Sequence, residues 1–168
     1  MRISIIGQPG SGKSTLARKI SKKLNIPHLH IDKFWFETGG NPKNEEEKEQ
    51  VRAYIKEKVK DFLQKENSWV SDGWYWRVQP TIAESADQII FLDVSLLRRL
   101  FNHLKRLFFR DSRHAEVSFF NDLKFFYEII RRTFIHGPRI RKFVKTNTPK
   151  VKKFRTYKEV NWYLDSLT

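Results

Sequence analysis

No cysteine occurs among the 168 residues, which excludes disulfides and thiolate metal sites and suits a reducing compartment. No apolar run approaches the roughly 18 residues of a membrane span. The five histidines show no metal-ligand spacing, and no structural metal is expected. The chain has no helix-turn-helix, zinc-finger or aromatic RNA-binding signature. It has no internal repeat, and no low-complexity tract beyond the short run Glu45-Glu46-Glu47. The first strand candidate begins almost at Met1, leaving no room for a signal peptide, so a soluble, cytoplasmic protein is expected. With 39% hydrophobic residues, this length suits one well-cored domain and is short for two.

Acidic residues are also scarce, 19 against 33 lysines and arginines, for a formal charge of +14. The first 95 residues are nearly balanced, with 15 basic and 13 acidic side chains. The remainder carries 18 basic and 6 acidic. A cationic C-terminal half attracts polyanions, whether nucleotide phosphates, nucleic acid or an anionic surface. The plainer reading is a solvated basic face.

Against these absences stands one local pattern. Gly7-Gln8-Pro9-Gly10-Ser11-Gly12-Lys13-Ser14-Thr15 fits G-x-x-x-x-G-K-[ST]. Before it, Ile3-Ser4-Ile5-Ile6 suits a buried strand, and after it Leu16, Ala17, Ile20 and Leu24 recur at helical spacing. That is the strand–loop–helix setting of a phosphate-binding loop. Gly7, Gly10 and Gly12 let the backbone bend around an anion, Ser11 lies among them, and the following helix offers its positive end. Lys13 would reach the β- and γ-phosphates of ATP. Ser14 would place its hydroxyl on Mg²⁺, with Thr15 a second hydroxyl at the same helix start.

The rest of the chain alternates strands and helices. Residues 26–31 read as a second strand ending at Asp32, followed by the aromatic cluster Phe34-Trp35-Phe36 and a Gly39-Gly40 turn. Asn44 and Glu47 make a capping box before a long amphipathic helix bearing Val51, Ile55, Val59 and Phe62. Trp69-Val70-Ser71 is a third strand closed by Asp72-Gly73. After a brief helix over 80–86, residues 88–92 form a fourth strand ending at Asp93. A basic helix from Leu96 to about Phe109 follows, then a Phe-rich helix interrupted at Gly137-Pro138. Residues 150–154 are a last strand candidate, and Thr156 with Glu159 caps a terminal helix. This alternation predicts an α/β fold, a parallel sheet covered on both faces, with ligands at the carboxyl ends of its strands.

Four blocks in this order carry a resemblance: Ile5 through Ala17, Leu29-His30-Ile31-Asp32-Lys33 with Trp35, Trp69-Val70-Ser71-Asp72-Gly73, and Ile89-Ile90-Phe91-Leu92-Asp93. Over nearly its whole length the chain resembles the P-loop nucleotide kinases, the adenylate kinases and their small relatives. It is most similar to the bacterial adenylate kinase-related proteins known as DNA topology modulation proteins. The resemblance implies a single three-layer P-loop domain over 1–168, with a five-stranded parallel sheet in the order 2-3-1-4-5. It also implies an acceptor-binding insertion over about 33–66 and a mobile, arginine-bearing helical lid over about 98–125.

Phosphoryl transfer needs positioning and charge neutralisation more than covalent help. Asp72 matches the Asp-Gly of the adenylate kinase pattern Asp-Gly-Phe-Pro-Arg and is expected to hold Mg²⁺ through water with Ser14. In this chain Trp74-Tyr75-Trp76 precedes Arg77, one residue late. Asp32 is the acceptor-side carboxylate, suited to orient a hydroxyl and receive its proton. Arg98, Arg99, Arg106, Arg110 and Arg113 are lid arginines, of which Arg99, Arg106 and Arg110 are assigned to catalysis together with Lys13, Asp32 and Asp72. Arg155, after the last strand, is placed at the ATP base. Trp35, Trp74 and Trp76 are candidates to stack on a base, or to pack in the core. The leading expectation is an ATP- and Mg²⁺-dependent kinase acting on a nucleotide, nucleoside or other small acceptor. The rival is a regulatory ATP-binding protein or ATPase associated with nucleic acid through the basic half.

Overall fold

The structure is a computed structural model and describes residues 1–40, 42–108 and 119–167; the side chains of 106–108, 119–126 and Glu128 are outside this description. Five parallel strands form the sheet: β1 (Arg2–Gly7), β2 (His28–His30), β3 (Trp69–Asp72), β4 (Gln88–Leu92) and β5 (Val151–Phe154). Their order is β2-β3-β1-β4-β5, as the resemblance implies. Seven helices accompany them among the described residues: α1 (Lys13–Leu24), α2 (Ile31–Glu37), α3 (Glu45–Lys65), α4 (Gln79–Ser85), α5 (Leu96–Phe108), α6 (Phe119–Thr146) and α7 (Tyr157–Asp165).

Period-2 alternation divides the core between the two faces of the sheet. On β1, Ile3 and Ile5 join Leu16, Ala17 and Ile20 of α1 and Val160 and Leu164 of α7. Ile6 points the other way, into Ile55 and Val59 of α3, Ile82 of α4 and Ile140 of α6. Strand β4 repeats the division, with Ile90 and Leu92 on the first face and Ile89 and Phe91 on the second. Each fully buried aliphatic side chain contributes about 1.5–3 kcal/mol through water exclusion, so both layers hold the central strands. Two caps read from the sequence are present: the Asn44 side chain accepts from the Glu47 N–H, and Thr156 and Glu159 form a reciprocal capping box on α7.

Two local expectations are corrected. The second strand stops at His30 and α2 begins at Ile31, so Asp32, read as the end of the strand, lies with the aromatic cluster on a helix. Ile31 is the buried residue of α2 and packs in the same cluster as Leu29, which anchors the helix directly against the sheet. Gly137-Pro138 does not interrupt α6, which continues to Thr146. Ile140 beyond the proline is buried, and Phe143 and Val144 pack against the core, so tertiary burial outweighs the hydrogen bond that proline cannot make. Gly137 has a different use: a Cβ there would stand 3.0 Å from Gln8 Nε2, so its absence lets α6 cross close to the phosphate loop.

Candidate active site

Strand β1 ends at Gly7, and the loop after it folds onto the Gln8 carbonyl, which accepts from the Ser11 N–H at 3.2 Å and from Lys13 Nζ at 3.1 Å. Gly12 caps α1 at φ +93° with no side-chain hydrogen bond to the first turn, leaving its N–H groups for another acceptor. The Ser11 hydroxyl is buried without a hydrogen-bond partner among the described residues. The loop is braced from behind by α5. Arg99, 3% exposed, donates to Val94 O, to Pro9 O and to Thr133 Oγ1 of α6. Asn102 Nδ2 donates to Gly10 O at 2.9 Å and also contacts the Tyr157 hydroxyl. Gly10, at φ +79°, must lack a Cβ, because one would lie 2.9 Å from the Arg99 carbonyl oxygen.

Asp72 closes β3, side by side with β1 and opposite His30 in the β2 register. Its side chain is fully buried, and Oδ1 accepts from His28 Nε2 and from His30 Nδ1, each at 2.7 Å. Burial alone would raise this carboxyl, but the hydrogen bonds from His28, Ser14 and His30 outweigh it and hold the pKa down to about 2. Among the described residues Oδ2 has no well-formed hydrogen bond. Asp32 has the opposite environment. It is open to solvent on one side yet ringed by protein, and burial pushes its pKa above the usual value, with Asp72 adding to the rise. Lys13, His30 and Arg132 pull it back without cancelling the effect.

Of the residues named from sequence, Lys13, Ser14, Asp32 and Asp72 therefore come together at the carboxyl ends of β1, β2 and β3. Gly7, Gly10, Ser11 and Gly12 form the loop beside them, and Thr15 is exposed on α1. Arg99 sits beneath the loop, its guanidinium engaged with backbone and Thr133. Arg106 lies on α5 with its side chain outside the described residues, and Arg110 and Arg113 lie wholly outside them. Arg98 is exposed, with its guanidinium 5.8 Å from the Tyr157 ring. Arg155 is exposed and gives its backbone N–H to Glu159 Oε2 in the α7 cap. Trp74 packs edge-on against Phe143, whereas exposed Trp76 has the guanidinium groups of Arg77 and Arg139 over its ring. A pocket of about 400 Å³ adjoins the loop, lined by Gly12, Thr15, Lys19, Asn102, Tyr157 and Asn161.

Three contributors were not read from the sequence. His28 and His30 are two apart on one strand, so both rings fall on the same side, and with Asp72 they offer three ligand atoms within 4.8 Å of one another, a cluster that the sequence reading of the histidines did not include. Their signal was the alternation itself. Arg132 on α6 acts on Asp32, a role the sequence reading did not assign to it.

Comparison with known proteins agrees with this fold. The AAA_18 family, described as an AAA domain, matches residues 3–113. The chain belongs to this family and has the fold of P-loop nucleotide kinases. It is 33% identical over 118 residues to a protein of Sulfurisphaera tokodaii named "Putative adenylate kinase", covering 69% of this chain and 60% of that protein. A shorter match, 62% identical over 29 residues, is to adenylate kinase of Wigglesworthia glossinidia brevipalpis, over 17% of this chain and 14% of the relative. The chain thus spans about 60% of the longer-matching relative's length. Among solved structures it is similar to shikimate kinase from Bacteroides thetaiotaomicron, with TM-score 0.58, 18% identity and coverage of 99% of this chain and 95% of that one. Shikimate kinase from Aquifex aeolicus gives TM-score 0.53 at 24% identity, covering 99% and 96%. At these identities the structural likeness shows the fold alone.

Proposed function

We propose that the chain transfers the γ-phosphoryl group of ATP to a hydroxyl of a small-molecule acceptor. The observation that carries this reading is the divergence of two neighbouring carboxylates: Asp72 is held ionised and Asp32 is pushed toward neutrality. Environments that drive paired carboxyl groups apart mark separate roles. Asp72, charged near neutrality and next to the Ser14 hydroxyl, has the hard-oxygen character Mg²⁺ requires, and its buried Oδ2, without a well-formed hydrogen bond among the described residues, fits such a partner. Mg²⁺ held by Ser14 and Asp72 would neutralise charge on the β- and γ-phosphates. The open N–H groups of α1, the Ser11 hydroxyl and Lys13 would hold the phosphates, and the pocket beside Tyr157 would take the nucleoside end. Asp32 would orient the acceptor hydroxyl and accept its proton as the new O–P bond forms and ADP leaves. α2 and α3, spanning the insertion expected at about 33–66, would bind the acceptor.

ATP consumption with Mg²⁺ against a panel of nucleoside monophosphates, nucleosides and small alcohols, with mass spectrometry of the products, tests this. A phosphorylated acceptor is expected. The Asp32→Asn variant should lose turnover by about 10²–10⁴-fold while retaining ATP binding. In the parent protein the acidic limb of the rate profile should lie above the ordinary aspartate value of 3.8, because Asp32 acts only when ionised and its pKa is raised. ATP hydrolysis stimulated by DNA with no acceptor product would instead favour the nucleic-acid-associated reading.

A further inference from the structure

We infer that His28, His30 and Asp72 form a binding site for a transition-metal dication of the Zn²⁺ type, distinct in chemistry from the Mg²⁺ that phosphoryl transfer would use. The observation is a convergence of donors. His28 Nε2, His30 Nδ1 and an Asp72 carboxylate oxygen lie within 4.8 Å of one another, and both imidazoles meet the same oxygen at 2.7 Å. Strand geometry makes this rigid: His28 and His30 alternate on β2, and His30 stands in register with Asp72 on β3. Two imidazoles and one carboxylate are the donor set of a three-ligand zinc site with one open position.

Burial supports the assignment. The Asp72 side chain is fully buried, and among the described residues its Oδ2 has no well-formed hydrogen bond while Oδ1 meets both imidazoles. Buried charges are retained when they are paired or bind a metal. His30 is 39% exposed and His28 19%, so an ion has a path from solvent along the His30 side. On binding, the ion takes the place of the two ring hydrogens that now bridge to Oδ1. Each imidazole ligates through the nitrogen that now meets Oδ1, whose hydrogen passes to the other ring nitrogen or to solvent. Imidazole favours Zn²⁺, Ni²⁺ or Cu²⁺, whereas Mg²⁺ keeps its waters and prefers oxygen donors.

The site shares Asp72 with the proposed Mg²⁺ position, through the oxygen that meets the imidazoles, and its occupancy can be read without kinase activity. Its occupant ties the carboxyl ends of β2 and β3 together, immediately before α2 and its Asp32, so a bound ion would set the position of the acceptor-side carboxylate.

The test uses the full chain in buffer free of Mg²⁺ and nucleotide, with Zn²⁺ measured by calorimetry and Co²⁺ as the spectroscopic probe. One equivalent of Zn²⁺ should bind, and Co²⁺ should give the intense visible bands of a four-coordinate ion. The His28→Gln/His30→Gln double variant should weaken Zn²⁺ binding by about 100-fold or more and abolish the Co²⁺ bands. His30→Gln alone, at the more exposed ring, gives the same readout should the double variant not fold. About 10 mM Mg²⁺ should not displace the Zn²⁺. Absent Co²⁺ bands, or Zn²⁺ binding unchanged in the histidine variants, would overturn the assignment. Metal binding at these residues in a protein that phosphorylates nothing would leave this inference standing and remove the proposed activity; the reverse result would do the opposite.

Discussion

The guanidinium of Arg99 donates to the carbonyl oxygen of Pro9 at 3.3 Å, joining helix α5 to the phosphate loop 90 residues earlier in the chain. The same guanidinium also holds Val94 O and Thr133 Oγ1, so one buried side chain fastens the loop, α5 and α6 together. This makes Arg99 a brace for the loop. Hydrogen bonds from a charged donor are worth about 1.5–3 kcal/mol each, and their loss leaves buried carbonyls unpaired. Arg99→Ala should therefore destabilise the protein by about 2–4 kcal/mol, measured by urea unfolding. A solvent-facing lid arginine would instead leave stability within about 0.5 kcal/mol.

Asp72 predicts an acid limb in stability. Its pKa is about 2 in the folded protein against an ordinary value of 3.8, so the folded state binds the proton more weakly than the unfolded state. That contribution is fully present above about pH 4, and it is lost as the pH falls through the folded value. Linkage puts it at about 2 kcal/mol near neutrality. Asp72→Asn should therefore cost about this much at pH 7, and its difference from the parent protein should shrink between about pH 4 and pH 2. A constant difference across that range, read from unfolding curves at each pH, would contradict the account.

Gly73 supports Asp32 by lacking a side chain. It adopts φ +110°, and a Cβ there would approach Asp32 Oδ1 to 3.2 Å and Ile31 Cβ to 3.1 Å. Gly73→Ala should cost about 1–3 kcal/mol in strain and displace the start of α2. Acceptor turnover should fall while ATP affinity, measured by calorimetry, stays within about threefold of the parent, since one methyl does not reach the loop. Equal loss of both would place Gly73 in the nucleotide site.

What was readable in the sequence was local, and what was not depended on distance. The phosphate loop lies within nine consecutive residues flanked by a strand and a helix, so its motif and setting were visible together. The roles of the glycines were not: Gly10 is explained by a carbonyl from Arg99, and Gly137 by Gln8. The pair of His28 and His30 with Asp72 joins residues 44 and 42 positions apart, across neighbouring strands. Only strand register brings them together, and sequence spacing conveys that register weakly. The apparent break at Pro138 followed from local propensity, which burial of Ile140 overrides. Arg99 looked like its exposed neighbour Arg98 because both are basic and adjacent on one helix; facing, which separates them, is a property of packing.

Turnover of ATP by Lys13→Ala tests the central claim most directly. Lys13 Nζ is held at 3.1 Å by the Gln8 carbonyl within the loop and acts on Asp32, the carboxylate proposed to serve the acceptor, electrostatically. With Mg²⁺ and an acceptor found in the panel, the variant should lose phosphoryl transfer by about 10²–10³-fold, with far-UV circular dichroism unchanged. Acceptor phosphorylation at the parental rate in this variant would contradict the account of the loop as the site of phosphoryl transfer.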